Sequence, residues 1–154
     1  AGNGAPSMAT MQAVQQQLAS LKAQLEKNPK DTDALTRLGD MYFDAGMFDK
    51  AADYYQKSLD LKPDDIMVMT DLGTSLRRLG QPQKALERFE ETVKRDPNHW
   101  RGWFNIGVVS LYDLRQYDQA EAAFKKVDEL KPGTIDMAEL RKEIERVKAG
   151  GTGG

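Results

Sequence analysis

Four prolines recur along this 154-residue chain at an almost constant spacing, and that spacing restricts the possible fold more than any other feature of the sequence. Pro29, Pro63, Pro97 and Pro132 are separated by 34, 34 and 35 residues. A period of about 20 to 50 residues is typical of arrays of repeated units, in which each unit buries its apolar surface against its neighbours. The chain is therefore expected to be a repeat protein.

Two further sets of residues recur in the same register. A large aliphatic residue followed by glycine occurs in each unit, and an alanine followed four residues later by an aromatic residue comes after it. The pairs are Leu38-Gly39, Leu72-Gly73 and Ile106-Gly107, followed by Ala51 with Tyr55, Ala85 with Phe89 and Ala120 with Phe124. Each alanine precedes its closing proline by twelve residues. Three markers in one register are poorly explained by chance.

The apolar residues of each unit fall at helical intervals in two groups. In the first unit these groups are Leu35, Leu38 and Tyr42, and then Ala51, Tyr55 and Leu59. Small residues such as Gly39 and Ala51 would let the two helices approach closely. Each unit is thus predicted to be a hairpin of two helices of about 13 residues, each roughly 20 Å long.

The turn between the two helices is expected to differ in the third unit. Gly46 and Gly80 follow the first helix of their units, where glycine adopts a left-handed conformation without steric cost. The third unit has one more residue between its glycine and its alanine, and Arg115 stands at the position of the turn glycine. The turn over residues 112–117 is therefore predicted to be longer or bulged.

The units resemble tetratricopeptide (TPR) repeats, whose pattern is W-x₂-L-G-x₂-Y, then A-x₃-F, then P. The resemblance covers residues 30–132. Its tryptophan, tyrosine and phenylalanine positions are occupied, in the order of the three units, by Leu35, Met69 and Trp103, by Tyr42, Leu76 and Ser110, and by Tyr55, Phe89 and Phe124. The resemblance implies an all-α fold, an α-solenoid of helix-turn-helix hairpins, in which Trp103 is buried between paired helices.

The flanking segments extend this scheme to an organisation of the whole chain. An apolar stripe from Met8 to Leu25 predicts a leading helix, and a stripe from Met137 to Val147 predicts a capping helix with a charged outer face. The expected segments are a flexible linker over 1–7, a single TPR domain over 8–148 and a Gly-rich tail over 149–154. Within the domain they are a leading helix over 8–28, repeats over 30–63, 64–97 and 98–132, and a capping helix over 134–148.

Composition excludes several classes of function. The 22 basic and 24 acidic residues are interleaved, so there is no basic surface for nucleic acid. Without cysteine there is no disulfide, thiolate metal site or cysteine nucleophile. His99 is the only histidine, and it is interpreted as a connector residue because no nucleophile accompanies it. We expect no catalytic residues, no metal site and no cofactor, and hence no enzyme.

The TPR resemblance implies that the first helices of the hairpins line a concave groove, and aligning these helices by their glycines predicts its residues. The predicted groove runs from acidic residues in the first unit to aromatic and aliphatic residues in the third. It consists of Asp33, Thr36, Asp40, Phe43, Met67, Thr70, Thr74, Arg77, Arg101, Phe104, Val108 and Leu111.

Phe104, Val108 and Leu111 would form an apolar patch in this groove. Such a patch commonly marks an interface, here for an extended or helical peptide with apolar anchors and a basic end facing Asp33 and Asp40. The alternative is that the C-terminal helix over 135–148 covers the patch.

A TPR subclass binds the C-terminal carboxylate of heat-shock chaperones through lysine, asparagine and arginine side chains. The corresponding positions here are Thr36, Asp40, Asp71, Arg101 and Asn105. Only the arginine has a suitable charge, and the two aspartates would repel a carboxylate. A role as a co-factor that binds chaperone tails is therefore not expected.

Two classes of function remain. The first is a protein-protein interaction module or scaffold that binds one partner peptide or helix in the groove. The second is a self-associating structural protein, in which the stripe from Met8 to Leu25 pairs with a second copy. Repeats in this register are common in bacterial chains in which a TPR part follows a membrane anchor. The start at Ala1 and the Gly- and Pro-containing first seven residues agree with a fragment of such a chain. An extracytoplasmic or membrane-tethered setting is thus expected.

Overall fold

The structure, a computed structural model, describes residues 7–150. The predicted linker and tail lie outside the described residues, except for residues 7, 149 and 150. The α-helices are α1 (Met8–Lys27), α2 (Thr32–Asp44), α3 (Phe48–Leu61), α4 (Ile66–Arg78), α5 (Pro82–Arg95), α6 (Trp100–Val108), α7 (Tyr117–Leu130) and α8 (Met137–Lys148), and a π-helical segment, Val109–Asp113, follows α6. Between residues 7 and 150 there is no β-strand, so the predicted all-α class is confirmed. None of the helices described is both long and apolar enough to cross a membrane.

The helices are distributed over two compact units of the chain. The described residues up to residue 63 form the first unit, and those from residue 64 onward form the second. The first unit holds the hairpin of α2 and α3, with α1 packed against α2. The second unit holds the hairpins of α4 with α5 and of α6 with α7, and α8 contacts α7. The predicted helical hairpins are therefore present, one in the first unit and two in the second.

The three hairpins share one close contact. In each of them a glycine of the first helix lies against an aromatic ring of the second helix. The pairs are Gly39 with Tyr55, Gly73 with Phe89 and Gly107 with Phe124. A Cβ atom at these glycines would lie 2.5, 2.6 and 2.7 Å, respectively, from the nearest ring carbon. Since carbon atoms in van der Waals contact are about 3.5–4.0 Å apart, only glycine allows the helices to approach this closely.

The first helices of the repeats begin at equivalent positions, but with different N-cap residues. The Oδ1 atom of Asp31 accepts a hydrogen bond from the backbone N–H of Ala34 at 3.0 Å, and that of Asp65 accepts one from Val68 at 3.2 Å. His99 follows Asp65 by 34 residues and is the N-cap of α6, but its side chain makes no capping hydrogen bond. Its Nε2 atom is buried and has no hydrogen-bond partner within the described part of the chain. The histidine thus occupies a capping position without satisfying the helix end.

Replacing His99 with aspartate is expected to raise the free energy of unfolding by about 1 kcal/mol, because it supplies the missing N-cap acceptor and removes a buried nitrogen that has no partner. Denaturant unfolding at pH 7 would measure the change. The control is His99→Leu, which removes the nitrogen but offers no acceptor and should stabilise less than the aspartate. A variant less stable than the parent protein would contradict this role of residue 99.

The extra residue of the third repeat is accommodated by a bulge at the end of the first helix of that repeat. Gly46, Gly80 and Arg115 all have positive φ, at 73°, 72° and 57°, so the three turns share one left-handed position. The additional residue instead converts the end of the first helix into the π-helical segment Val109–Asp113. Of the two predicted alternatives, a longer or a bulged segment over residues 112–117, the structure has the bulge, which begins at Val109 and overlaps the start of that range.

The second unit has two apolar clusters. The first joins α5, α6, α7 and the π-helical segment, and its buried members are Ala85, Leu86, Phe89, Val93, Ile106, Val109 and Ala123. The second lies between the π-helical segment, α7 and α8, and its buried members are Leu111, Ala120, Phe124, Ile144 and Val147. Each helix from α5 to α8 buries residues in at least one of these clusters. The clusters therefore hold these helices together in one compact unit.

Candidate protein-interaction surface

On α2, the two acidic residues of the predicted groove are exposed. Asp33 lies in the first turn of the helix, where a carboxylate interacts favourably with the helix dipole. Asp40 lies two turns later and accepts a hydrogen bond from the Tyr55 hydroxyl at 2.7 Å. Because both carboxylates reach solvent, this side of α2 carries negative charge that a partner can contact.

The other two predicted residues of α2 are half-buried and bound to the second helix of their hairpin. The Thr36 hydroxyl lies 3.0 Å from that of Ser58. The Phe43 ring packs edge-on against Phe48, with 5.1 Å between ring centroids. These two side chains therefore hold α2 against α3, and less of their surface is accessible.

On α4, one predicted residue is largely exposed and the others are bound within the unit. Met67 is 49% exposed. The hydroxyl of Thr70, which is buried, donates to the carbonyl of Ile66 at 2.7 Å, and that of Thr74 donates to the carbonyl of Thr70 at 3.0 Å. The threonine hydroxyls thus satisfy their own helix, and the methionine is the accessible apolar group of α4.

Arg77, the last predicted residue of α4, forms an ion pair with Asp113 at the end of the π-helical segment. Its Nη2 atom also donates to the other carboxylate oxygen at 3.3 Å. Both side chains are about one-third exposed or less, and a two-point contact of this kind fixes the guanidinium plane. Arg77 therefore connects the second repeat to the third and is less accessible to a partner than its sequence position indicates.

On α6, Arg101 is exposed and Phe104 is 37% exposed. The Arg101 guanidinium lies over the Trp100 ring at 5.5 Å, and the Lys131 ammonium lies over the same ring at 4.9 Å. The Phe104 ring packs edge-on against Phe124 at 5.7 Å. One part of Phe104 is thus anchored in its hairpin, and the rest forms an apolar surface beside a cation.

The predicted apolar patch is largely covered by α8. Leu111 is only 1% exposed and belongs to the same cluster as Ile144 and Val147 of α8, with Val108 partly buried against that cluster. The expectation that Leu111 lines an open wall does not hold, and the alternative of a covering C-terminal helix describes this end of the patch. Of the three patch residues, Phe104 is the one that remains exposed.

A hydrogen bond joins α8 to the π-helical segment, and its acceptor is also bound within α8. The Tyr112 hydroxyl donates to Glu143 at 2.9 Å, and Arg146 donates two hydrogen bonds to the same carboxylate, at 2.6 and 2.7 Å. The hydrogen bonds from Arg146, followed by the one from Tyr112, lower the pKa of Glu143 below its usual value. Burial, and then the hydrogen bond to Glu143, raise the pKa of Tyr112. These contacts therefore favour the ionised form of Glu143 and the neutral form of Tyr112.

Trp103, which the TPR pattern predicts to be buried, is only half-buried. Its indole Nε1 donates to the carbonyl of Pro97 at 2.8 Å, and its ring packs beside the first apolar cluster. It points about 100° away from Phe104 around α6, because the two residues are adjacent in the helix. Trp103 is accessible from the side of α5 and α7, which the sequence did not indicate.

The described hairpins thus have exposed side chains on their first helices. Comparison with known proteins identifies the family. A family profile described as "Cilia and flagella-associated protein 70 middle TPR-like domain" matches residues 35–144. The chain belongs to the tetratricopeptide repeat family. TPR domains are generally non-catalytic modules of protein-protein interaction, and the described residues contain no cluster of acidic or histidine side chains that could hold a metal ion.

Curated relatives share the repeats but are much longer. The chain is 32% identical over 106 residues to "Probable UDP-N-acetylglucosamine--peptide N-acetylglucosaminyltransferase SPINDLY" from Hordeum vulgare, which covers 64% of this chain and 11% of that protein. It is also 32% identical over 116 residues to "General transcriptional corepressor trfA" from Dictyostelium discoideum, covering 71% of this chain and 8% of that one. The similarity therefore concerns a TPR region within each relative.

Solved structures extend the comparison to peptide binding. The TPR protein YrrB, described as having an unusual peptide-binding site, superposes with a TM-score of 0.76 at 25% identity, covering 92% of this chain and 73% of that chain. The first TPR of Spaghetti (RPAP3), bound to the HSP90 peptide SRMEEVD, superposes with a TM-score of 0.69 at 25% identity, covering 77% and 93%. TPR domains similar to this one thus bind peptides.

Proposed function

We propose that this TPR chain is a non-catalytic interaction module or scaffold, and that the exposed side of its first helices binds a peptide or helix of one protein partner. The observation that carries the proposal is the exposure of two large apolar side chains, Met67 on α4 and Phe104 on α6, at 49% and 37%. Exposed apolar groups rimmed by polar residues commonly mark interaction sites, and helical grooves bind partner helices through such anchors. The proposed module is a single TPR domain over residues 8–148.

Charge indicates which peptides would be preferred. Asp33 and Asp40 on α2 are exposed carboxylates, and they would attract a basic segment and repel an acidic one. Of the five positions corresponding to the chaperone-tail binding residues, Arg101 is the only basic one. The acidic peptide SRMEEVD, which the Spaghetti domain binds, is therefore a poor ligand for this chain under the proposal.

A pair of peptides that differ only in charge tests this preference. SRMEEVD and its counterpart SRMKKVK would be titrated against the protein by fluorescence anisotropy or calorimetry. We expect the basic peptide to bind at least about tenfold more tightly, which corresponds to about 1.4 kcal/mol. Phe104→Ala and Asp40→Lys should each weaken binding of the basic peptide, whereas Asp53→Lys, on α3, is the control with the same charge change. If the parent protein and both variants bound the basic peptide with equal affinity, the proposal would be wrong.

A second function is favoured by a different observation. In α1, Met8, Met11 and Val14 are 74%, 45% and 44% exposed, while Leu21 is buried at 3%. The first charged residue of the chain is Lys22, so two copies of this stripe could pair without charge repulsion. Self-association through α1 predicts a mass that grows with protein concentration in light scattering and a loss of that growth in Met11→Lys. A mass that does not change with protein concentration would contradict self-association, and binding of a different protein would then be the one remaining proposal.

A further inference from the structure

The second unit has an apolar cavity that none of the predicted groove residues lines. It has a volume of about 430 Å³ and is lined by residues of α5, α6 and α7. Its walls are mainly apolar, with Trp103 and Ile106 from α6, Val93 from α5, and Ala122 and Ala123 from α7. Ligand-binding cavities have volumes of about 300–1,000 Å³ and similar linings, so this cavity can receive one large apolar side chain.

Two of the residues that line the cavity are alanines at positions where the other repeats have longer side chains. Ala122 and Ala123 follow Ala120 by two and three residues, and the same positions hold Asp53 and Tyr54 in the first repeat and Glu87 and Arg88 in the second. With alanine at these two positions, Trp103 stays half-buried beside Gln119 and Lys126, the longer α7 side chains that also line the cavity. The opening is thus specific to the third repeat and does not follow from the general repeat pattern.

An acidic groove adjoins this cavity along α7. Its volume is about 530 Å³, and it is formed with α8. Four carboxylates and two cationic groups line it, namely those of Asp118, Glu121, Asp128, Glu129, Lys125 and Arg141. Two of the carboxylates already have a cationic neighbour, since Glu121 pairs with Arg141 at 3.0 Å and Glu129 with Lys126 at 3.2 Å. An excess of negative charge remains.

Ala122 lines both the apolar cavity and the acidic groove, so the two adjoin at this residue of α7. A partner helix that crosses α7 there can approach closely, as helices do over small residues. Side chains three or four residues apart on that helix lie on one face and can reach the cavity and the groove together.

We propose that this face of α7, defined by the Trp103 cavity and the acidic groove, docks a cationic amphipathic helix of a protein partner. One large apolar residue enters the cavity against Trp103, and lysine or arginine residues three or four positions away contact the carboxylates of the groove. The apolar contact supplies affinity and the charges select the partner. This surface is separate from the first-helix surface, so the chain can hold two partners at once, as a scaffold does.

The test uses three synthetic helical peptides and a protein in which Trp103 is the only tryptophan, through Trp100→Phe. The first peptide has one leucine and three lysines on the same face, the second has glutamates in place of the lysines, and the third has alanine in place of the leucine. We expect the first to shift Trp103 emission to shorter wavelength on binding, and the other two to bind at least about tenfold more weakly.

Matched variants assign the site. Ala122→Arg places a large cation between the cavity and the groove and should lower the affinity for the first peptide at least about tenfold. Glu87→Arg, at the same position of the second repeat, should leave that affinity unchanged. Phe104→Ala should leave this binding unchanged, which distinguishes it from the first-helix surface. Unchanged affinity in Ala122→Arg, or a loss in Phe104→Ala instead, would overturn the inference. So would Trp103 emission that none of the peptides alters.

Discussion

Replacing Phe89 with alanine is expected to lower the free energy of unfolding by about 3–5 kcal/mol. The ring is 1% exposed and belongs to the first apolar cluster of the second unit, so its loss leaves a cavity between α4, α5 and their neighbours. A domain of this size is stabilised by only about 5–15 kcal/mol, and the variant would lose a large part of that margin. Urea unfolding followed by circular dichroism would measure the effect.

The contact between Gly73 and Phe89 predicts that the effect of Gly73→Ala on the free energy of unfolding changes sign when Phe89 is also replaced. Gly73→Ala alone should destabilise by about 1–3 kcal/mol, because the added Cβ would lie 2.6 Å from the Phe89 ring. In the Phe89→Ala background the clash is absent, and the same substitution should be neutral or stabilising by up to about 1 kcal/mol, since alanine favours helix over glycine. The control is Gly80→Ala. A Cβ atom there meets nothing within 4 Å, but φ is +72°, so its cost should be the same in both backgrounds. Equal effects of Gly73→Ala in both backgrounds would exclude the proposed close contact.

The second large effect is expected from Ile144→Asp in α8. Ile144 is 4% exposed in the cluster that covers Leu111, and an aspartate there loses the apolar contact and introduces a buried carboxylate. We expect a loss of at least about 3 kcal/mol in the stability of α8. Hydrogen exchange of α8 amides should accelerate strongly, with less change in the α4–α5 hairpin, because helices at the end of an array open locally.

The consequence for the surface can be measured in the same variant. Detachment of α8 exposes Leu111 and the Tyr112 side of the π-helical segment, so binding of a hydrophobic dye should increase. Lys142→Asp is the control, because Lys142 is exposed on the same helix and pairs with Glu139 at 2.6 Å. If both variants behaved alike, α8 would be held by its charges and not by its apolar face.

The sequence predicted those parts of the fold that depend on local geometry. The glycines and aromatic residues of each hairpin are fixed by close helix packing, and Gly46 and Gly80 by the left-handed turn. These constraints act within about 20 residues and are readable from spacing. The exact position of the extra residue could not be read from the spacing. The distance between Gly107 and Ala120 shows that one residue is inserted, but it does not show which backbone hydrogen bonds change to accommodate it.

The surface was predicted less completely, for a physical reason. Aligning helices by their glycines shows which direction a side chain points, but not what covers it. Leu111 points as predicted yet lies under α8, and Thr36 and Arg77 are bound to residues elsewhere in the chain. The Trp103 cavity could have been suspected from Ala122 and Ala123, since two small residues replace a charged and a large one at that point of the repeat.

The glycine-aromatic contact also has a kinetic consequence. It joins residues 16 positions apart in the first two hairpins and 17 apart in the third. Closing loops of that length takes about 10–100 ns, and proteins rich in local contacts fold in microseconds to milliseconds. Each hairpin can therefore begin folding without waiting for a distant segment. The order in which the three form is then set by their individual stabilities and not by the path of the chain.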